Sequence, residues 1–343
     1  MRSFISSSET AVLEPLSAEP PQSKPAGRPA RPRRTRAGRV LRERILIVAV
    51  LAAGLTFATA AVRVPRVAGV QKDNYLAMKL GWRDCADCVL AGDSRVATGL
   101  SPSAMAEYRS GRRILNFGFG SARFTGTYLD AVERILDPAS PRRVIVLGIT
   151  PLSLLEAETD RGGFEIRRDE MKARSRVGLV ILRVLRFLEP MRIEQVVDEL
   201  HPAASRKPVS TRHRDGWNAY APPETRDLAL RNLAATFANK NVDPQLVESL
   251  LARVRSWSTM GIRVYAFRPP TCAETVSIED GSSGFDESAF VRQFELAGGT
   301  WIPVDPLAYH SSDGSHIYPE AAVRLSHDIA RIIERLERAA AQR

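Results

Sequence analysis

From Cys88 onward the chain alternates between two kinds of apolar pattern. Short, nearly continuous apolar runs recur at Cys88–Gly92, Arg113–Phe117, Arg143–Ile149 and Ile262–Phe267, with a shorter one at Trp301-Ile302-Pro303-Val304. Runs of this length without polar alternation predict strands covered on both faces, as in a parallel sheet. The proline places the last run at the periphery. Between the runs, apolar residues return every three or four positions. Tyr128, Leu129, Val132, Ile135 and Leu136 follow helical spacing and stop before Asp137-Pro138. Asp243-Pro244 supplies an N-cap and a first-turn proline for a helix whose face is Leu246, Val247, Leu250, Leu251, Val254 and Trp257 and whose end is marked by Gly261. A last helix starts near Pro319 and turns Ala322, Leu325, Ile329, Ile332, Ile333 and Leu336 inward. The alternation predicts an α/β fold, a mainly parallel five-stranded sheet between two layers of helices.

Residues 153–225 interrupt this rhythm. A charged stretch (Glu165 to Arg176) precedes two apolar helix-like segments, Val177–Leu188 and Ile193–Leu200, and a polar loop through Trp217. They predict an insertion that covers the active edge or faces a partner. Twelve residues are too few for Val177–Leu188 to span a bilayer.

The first 84 residues follow a different pattern. Residues 1–44 are rich in Pro, Ser, Ala and Arg and poor in aromatic and β-branched residues, a composition that predicts disorder. Ile45 to Val62 then runs eighteen residues without a charge between Arg44 and Arg63. At about 1.5 Å per residue such a helix just reaches across the hydrocarbon core of a bilayer. The arginines before it predict a cytoplasmic tail, a signal anchor in the inner membrane over 45–62, and export of everything beyond Val62. Cleavage after Ala60 would instead release a soluble protein; the long leader favours retention. Residues 63–84 are expected to form a stalk, and 85–340 the exported domain.

Charge narrows the function classes. The formal charge is +10, but residues 1–44 hold ten Lys/Arg against four Glu, so most of the excess sits in the tail. Without a clustered footprint on a folded face, no nucleic-acid partner is expected. Of the cysteines, Cys85 and Cys88 have redox or zinc spacing, yet no second pair completes a structural zinc site. A disulfide within Cys85–Cys88, or from one of them to Cys272, and plain small residues before a strand remain equally open readings. No metal or cofactor is expected.

Candidate chemistry lies at the two ends of the domain. Gly92-Asp93-Ser94-Arg95 closes the first strand, and Asp313-Gly314-Ser315-His316 precedes the last helix. A serine hydroxyl needs a base, and the base needs a third group to hold its tautomer. Among five histidines, His316 alone lies just before that helix with a carboxylate three residues earlier. Ser94, Asn116-Phe117-Gly118 and Thr150 follow the first three strands, so they converge on the edge where ligands bind in such sheets. Arg95 and Arg268 are candidates for binding an anionic substrate.

Gly92-Asp93-Ser94, Asn116-Phe117-Gly118 and Asp313-Gly314-Ser315-His316, in this order, resemble the blocks of the SGNH/GDSL hydrolase superfamily over residues 85–340 apart from the insertion. The resemblance implies a flavodoxin-like three-layer sandwich, with Ser94 as nucleophile and Asp313 and His316 completing a triad. It implies an oxyanion hole built from the Ser94 and Gly118 N–H groups, with Asn116 in the same block as Gly118. The family's third block carries an asparagine whose side chain donates to the oxyanion; this chain has Thr150 there, in Gly148-Ile149-Thr150-Pro151, with a hydroxyl of different reach as the candidate donor. In that departure the chain is similar to membrane-anchored SGNH-like proteins of bacterial envelopes, several of which transfer acyl groups. The resemblance implies a serine esterase or O-acyltransferase acting on acyl, above all acetyl, esters of an envelope or exported polysaccharide, alone or with a membrane acyl-transfer partner. The alternative is a catalytically weak module that binds glycan or scaffolds a complex.

Overall fold

The structure is a computed structural model that describes residues 43–54, 70, 72–157, 161–173, 209–221, 226–311 and 313–342. It divides into two compact units, Met1–Thr56 and Phe57–Arg343. In the first, residues 43–54 form a helix on which Ile45, Leu46, Ile47, Val48, Val50 and Leu51 are all exposed. Among the described residues no helix is long and apolar enough to cross a membrane. The rest of the apolar stretch 45–62 lies outside the described residues, as do the helix-like segments Val177–Leu188 and Ile193–Leu200.

The second unit opens with helix α1 (Lys72–Gly81) and continues through β1 (Cys88–Gly92), α2 (Ser94–Gly99), α3 (Pro102–Tyr108), β2 (Ile114–Asn116), α4 (Gly126–Ile135), β3 (Val144–Gly148) and α5 (Pro151–Leu154). The insertion contributes α6 (Gly163–Ala173) and a hairpin of β4 (Val209–Arg212) and β5 (Asn218–Ala221). Then come α7 (Arg226–Phe237), α8 (Pro244–Thr259), β6 (Arg263–Phe267), α9 (Ala273–Ser283), α10 (Glu287–Leu296), β7 (Thr300–Trp301) and α11 (Pro319–Ala341).

The main sheet has the order β2-β1-β3-β6-β7, and every pairing in it is parallel. With the hairpin set aside, this is the doubly wound order 2-1-3-4-5. Side chains of a strand alternate between faces, and the two faces feed two cores. Val89, Ala91, Ile145, Leu147, Val264 and Ala266 pack with Tyr128, Leu129 and Val132 of α4 and Leu250, Val254 and Trp257 of α8. Cys88, Leu90, Val144, Val146, Tyr265 and Phe267 pack with Met105 of α3 and Ala322, Leu325, Ile329 and Ile333 of α11. Burial on both faces explains why these strands read as continuous apolar runs.

Several elements differ from the expectation. β7 pairs over Thr300–Trp301 alone; Ile302 N still donates to Ala266 O at 2.7 Å, but Pro303 has no N–H with which to continue. Leu336 is exposed on α11. The segment 63–84 is not a stalk throughout. From Lys72 it is a helix whose Tyr75 and Lys79 are buried and whose Leu76 and Leu80 pack on the core. The three cysteines are unpaired, and burial pushes the Cys88 thiol up to about 12.

Candidate active site

The carboxyl end of β1 fixes the first component. Asp93 is fully buried and caps α2: one carboxylate oxygen accepts from Arg95 N at 2.9 Å, the other from Thr150 Oγ1 at 2.7 Å. Ser94 therefore becomes the first residue of the helix, with a half-buried side chain. Helix capping and the presentation of a serine are here one arrangement.

The turn entering α11 supplies the other components. Asp313 Oδ1 accepts from the backbone N–H groups of Ser315 (2.8 Å) and His316 (2.7 Å), while Oδ2 lies 2.8 Å from His316 Nδ1. His316 Nε2 stands 2.9 Å from Ser94 Oγ. Because the carboxylate accepts at Nδ1, the neutral imidazole carries its proton there and offers the Nε2 lone pair to the hydroxyl. Burial works to raise the Asp313 pKa. The hydrogen bond and charge of His316, with the two backbone N–H groups, outweigh it and hold the carboxyl at about 2. Gly314 carries the turn at φ 80°, and its carbonyl accepts from Cys272 N (3.0 Å) and Thr275 Oγ1 (2.9 Å) at the start of α9.

Arg95 and Arg268 are not free to meet a substrate. Both are buried, and they share Glu279 of α9, which is fully enclosed. Arg95 Nη2 pairs with one Glu279 oxygen, and Arg95 Nε donates to Ser315 Oγ at 3.1 Å. Arg268 also pairs with Asp280 (2.7 Å) and Glu287 (2.9 Å). Charged groups are buried only when paired; here the pairing links the residue after Ser94 to the turn that holds His316.

Three of the four groups expected around the oxyanion are engaged elsewhere. Both Asn116 amide hydrogens go to α2 carbonyls or its cap, Val96 O at 2.7 Å and Leu100 O at 2.8 Å. Asn116 Oδ1 takes the Gly118 N–H at 2.9 Å. The Thr150 hydroxyl donates to Asp93 and accepts from Ser153 N at 3.1 Å as the cap of α5. Asn116, Gly118 and Thr150 thus brace the serine turn. Of the four groups, the Ser94 N–H alone has no acceptor among the described residues. Gly118 has a second role: a Cβ there would lie 2.5 Å from Ala97 N, so α2 packs directly on this backbone.

Three neighbours gave no motif signal. Lys79 of α1 is buried and donates to Gly118 O at 2.6 Å and Gly216 O at 3.3 Å, clipping the loop behind the serine to the hairpin. Burial drives its ammonium pKa well down, against the opposing charge of Asp215. Its spacing four residues after Tyr75 is the one trace in the sequence. Trp217, at the hairpin, donates from Nε1 to Thr98 O at 2.8 Å. Tyr220 of β5 sets its ring edge-on to His316, with centroids 6.0 Å apart and planes at 87°. Among the described residues of the insertion, the hairpin therefore lies against the edge that carries Ser94.

No known protein family matches the sequence, and no curated protein matches it. Among solved structures, Est24, a carbohydrate acetylesterase from Sinorhizobium meliloti, matches over 73% of this chain and 99% of its own, with 12% identity and a TM-score of 0.33. A likeness this loose fixes neither fold nor activity.

Proposed function

We propose that the chain is a serine-dependent enzyme that cleaves or transfers an acyl ester, in the manner of the SGNH/GDSL hydrolases it resembles. One observation carries the reading: Ser94 Oγ, His316 and Asp313 stand in a hydrogen-bonded line, at 2.9 and 2.8 Å. Residues 222 positions apart meet at the ligand-binding edge of the sheet, with a serine oxygen facing a basic lone pair. Ser94 Oγ attacks the acyl carbon while its proton passes to His316 Nε2. The imidazolium forms against the Asp313 carboxylate, which stays ionised. Collapse of the tetrahedral intermediate expels the alcohol, which takes the proton from Nε2 and leaves an acyl group on Ser94. Water or a second hydroxyl then attacks that group, with His316 again as base; which one arrives separates hydrolysis from transfer. The Ser94 N–H is the donor left for the developing oxyanion, and such a donor contributes about 2.7–4 kcal/mol.

The substrate proposed is an acetylated polysaccharide of the cell envelope. Its support is the basic tail followed by the apolar stretch 45–62, on which we place the domain outside the cytoplasm and anchor it in the inner membrane. A second reading has its own observation: with Asn116, Gly118 and Thr150 bonded internally, the site has few donors for an oxyanion. That favours a module that holds glycan or scaffolds a complex without turning it over. Incubating the full-length protein with p-nitrophenyl acetate and with acetylated polysaccharide, and measuring released acetate, separates the two. Release that disappears in Ser94→Ala supports the enzyme. A folded protein with neither release nor acetyl transfer to added glycan supports the binding module.

A further inference from the structure

Arginines gather at the edge of the sheet opposite Ser94. Arg109 and Arg112 precede β2, Arg142 precedes β3, and Arg263 opens β6. The parallel order brings these separate positions to one edge, where Glu334, Glu337 and Arg338 of α11 close over them. Together they line a cavity of about 370 Å³.

The charges around this cavity do not balance. Five arginines face two glutamates, a surplus of three positive charges. Glu337 alone is shared by Arg109 (2.9 Å), Arg112 (3.2 Å) and Arg263 (3.1 Å), and Glu334 is taken by Arg338 at 2.6 Å. Among the described residues no carboxylate pairs with Arg142. Burial and the like charges of Arg109 and Arg142 lower the Arg112 pKa. Arg109 is 5% exposed, yet its Nε and Nη1 have no hydrogen-bond partner among the described residues. Buried donors without acceptors are rare and costly, and each asks for an explanation. Nothing in the proposed ester chemistry uses this edge.

We propose that the cavity binds a phosphate or pyrophosphate group, held by Arg109, Arg112, Arg142 and Arg263. A carboxylate would bring one charge and two oxygens, which Glu337 already provides. A phosphate brings more charge and a tetrahedral set of oxygens, suited to guanidinium forks arriving from three loops. The group can come from a soluble phosphorylated compound or from an anionic lipid headgroup, which offer the same chemistry to these arginines.

The test is calorimetric titration of the full-length protein with sodium pyrophosphate at low ionic strength, beside Arg142→Glu and Arg292→Glu. Arg142 and Arg292 are both exposed, and the two variants change net charge equally, so the basic tail contributes the same to each. The site predicts one saturable event, weakened at least about tenfold in Arg142→Glu and less than about twofold in Arg292→Glu. Titration with a short-chain phosphatidylglycerol, kept monomeric below its micelle-forming concentration, identifies the source without offering the apolar stretch 45–62 a membrane to enter. Saturable binding lost in Arg142→Glu and displaced by pyrophosphate marks a lipid headgroup; pyrophosphate binding without it marks a soluble ligand. Equal behaviour of the two variants, or no saturable binding of either probe by the parent, overturns the proposal. Labelling of Ser94 is expected to be unchanged in Arg142→Glu, so this site and the ester chemistry fail independently.

Discussion

Replacing Glu279 with glutamine tests whether the buried ion pairs hold the serine and histidine segments together. Glu279 is fully enclosed and faces two guanidinium groups. Arg268 would keep Asp280 and Glu287, whose side chains are 39% and 38% exposed. Arg95 would keep only the Ser315 hydroxyl as a direct hydrogen-bond acceptor, with the Asp93 charge nearby. Breaking a buried pair from one side costs about 3–5 kcal/mol, because a charge is left uncompensated. For a domain of this size that corresponds to a fall in Tm of about 6–20 °C. Most of it should trace to Arg95, so the double variant Glu279→Gln/Arg95→Met should recover more than half. Urea unfolding followed by tryptophan fluorescence measures both, with an unchanged slope as the check on two-state behaviour. A Glu279→Gln protein within about 1 kcal/mol of the parent refutes the reasoning, as does a double variant no more stable than the single one.

Other consequences are simpler to state. Thr150→Val removes the donor to Asp93 Oδ2 and should destabilise by about 1–3 kcal/mol, with Thr150→Ser restoring most of it in the same denaturation assay. Gly118→Ala forces a methyl to within 2.5 Å of Ala97 N; loss of Ser94 labelling and a lowered Tm are expected together. Asp313→Asn should slow acylation by about 10³–10⁴-fold, read as the rate of fluorophosphonate labelling. The Asp313 carboxyl titrates near 2 in the folded state, below its ordinary value of about 3.9. Its stabilisation is therefore complete above about pH 4 and lost as pH falls through 2. Parent and Asp313→Asn stabilities should differ by on the order of 1–2 kcal/mol after solvent screening, converging between pH 4 and pH 2.

What the chain discloses in advance depends on how local each determinant is. β1 and β3 are buried on both faces, so their apolar runs announce them without knowledge of their neighbours. Asp243-Pro244 and Asp313-Gly314-Ser315-His316 act within a few residues, and their caps and turns form as the spacing implies. α1 escaped because its inward face includes Lys79, which looks solvent-directed until the carbonyls of Gly118 and Gly216 are seen around it. Arg95 and Glu279 are 184 positions apart, and no local pattern joins them, so an arginine beside a serine read as a substrate ligand. The internal bonding of Asn116, Gly118 and Thr150 is hidden from the sequence for the same reason. The Asn116 amide is saturated by carbonyls of α2 and its cap, which only folding brings alongside.

The most direct test of the central claim is intact-mass and peptide mapping of the full-length protein after reaction with a fluorophosphonate. A single adduct on Ser94 is expected, forming at a rate that collapses in His316→Asn while a thermal melt shows that variant still folded. An unlabelled, folded parent protein, or an adduct on a different serine, would contradict it.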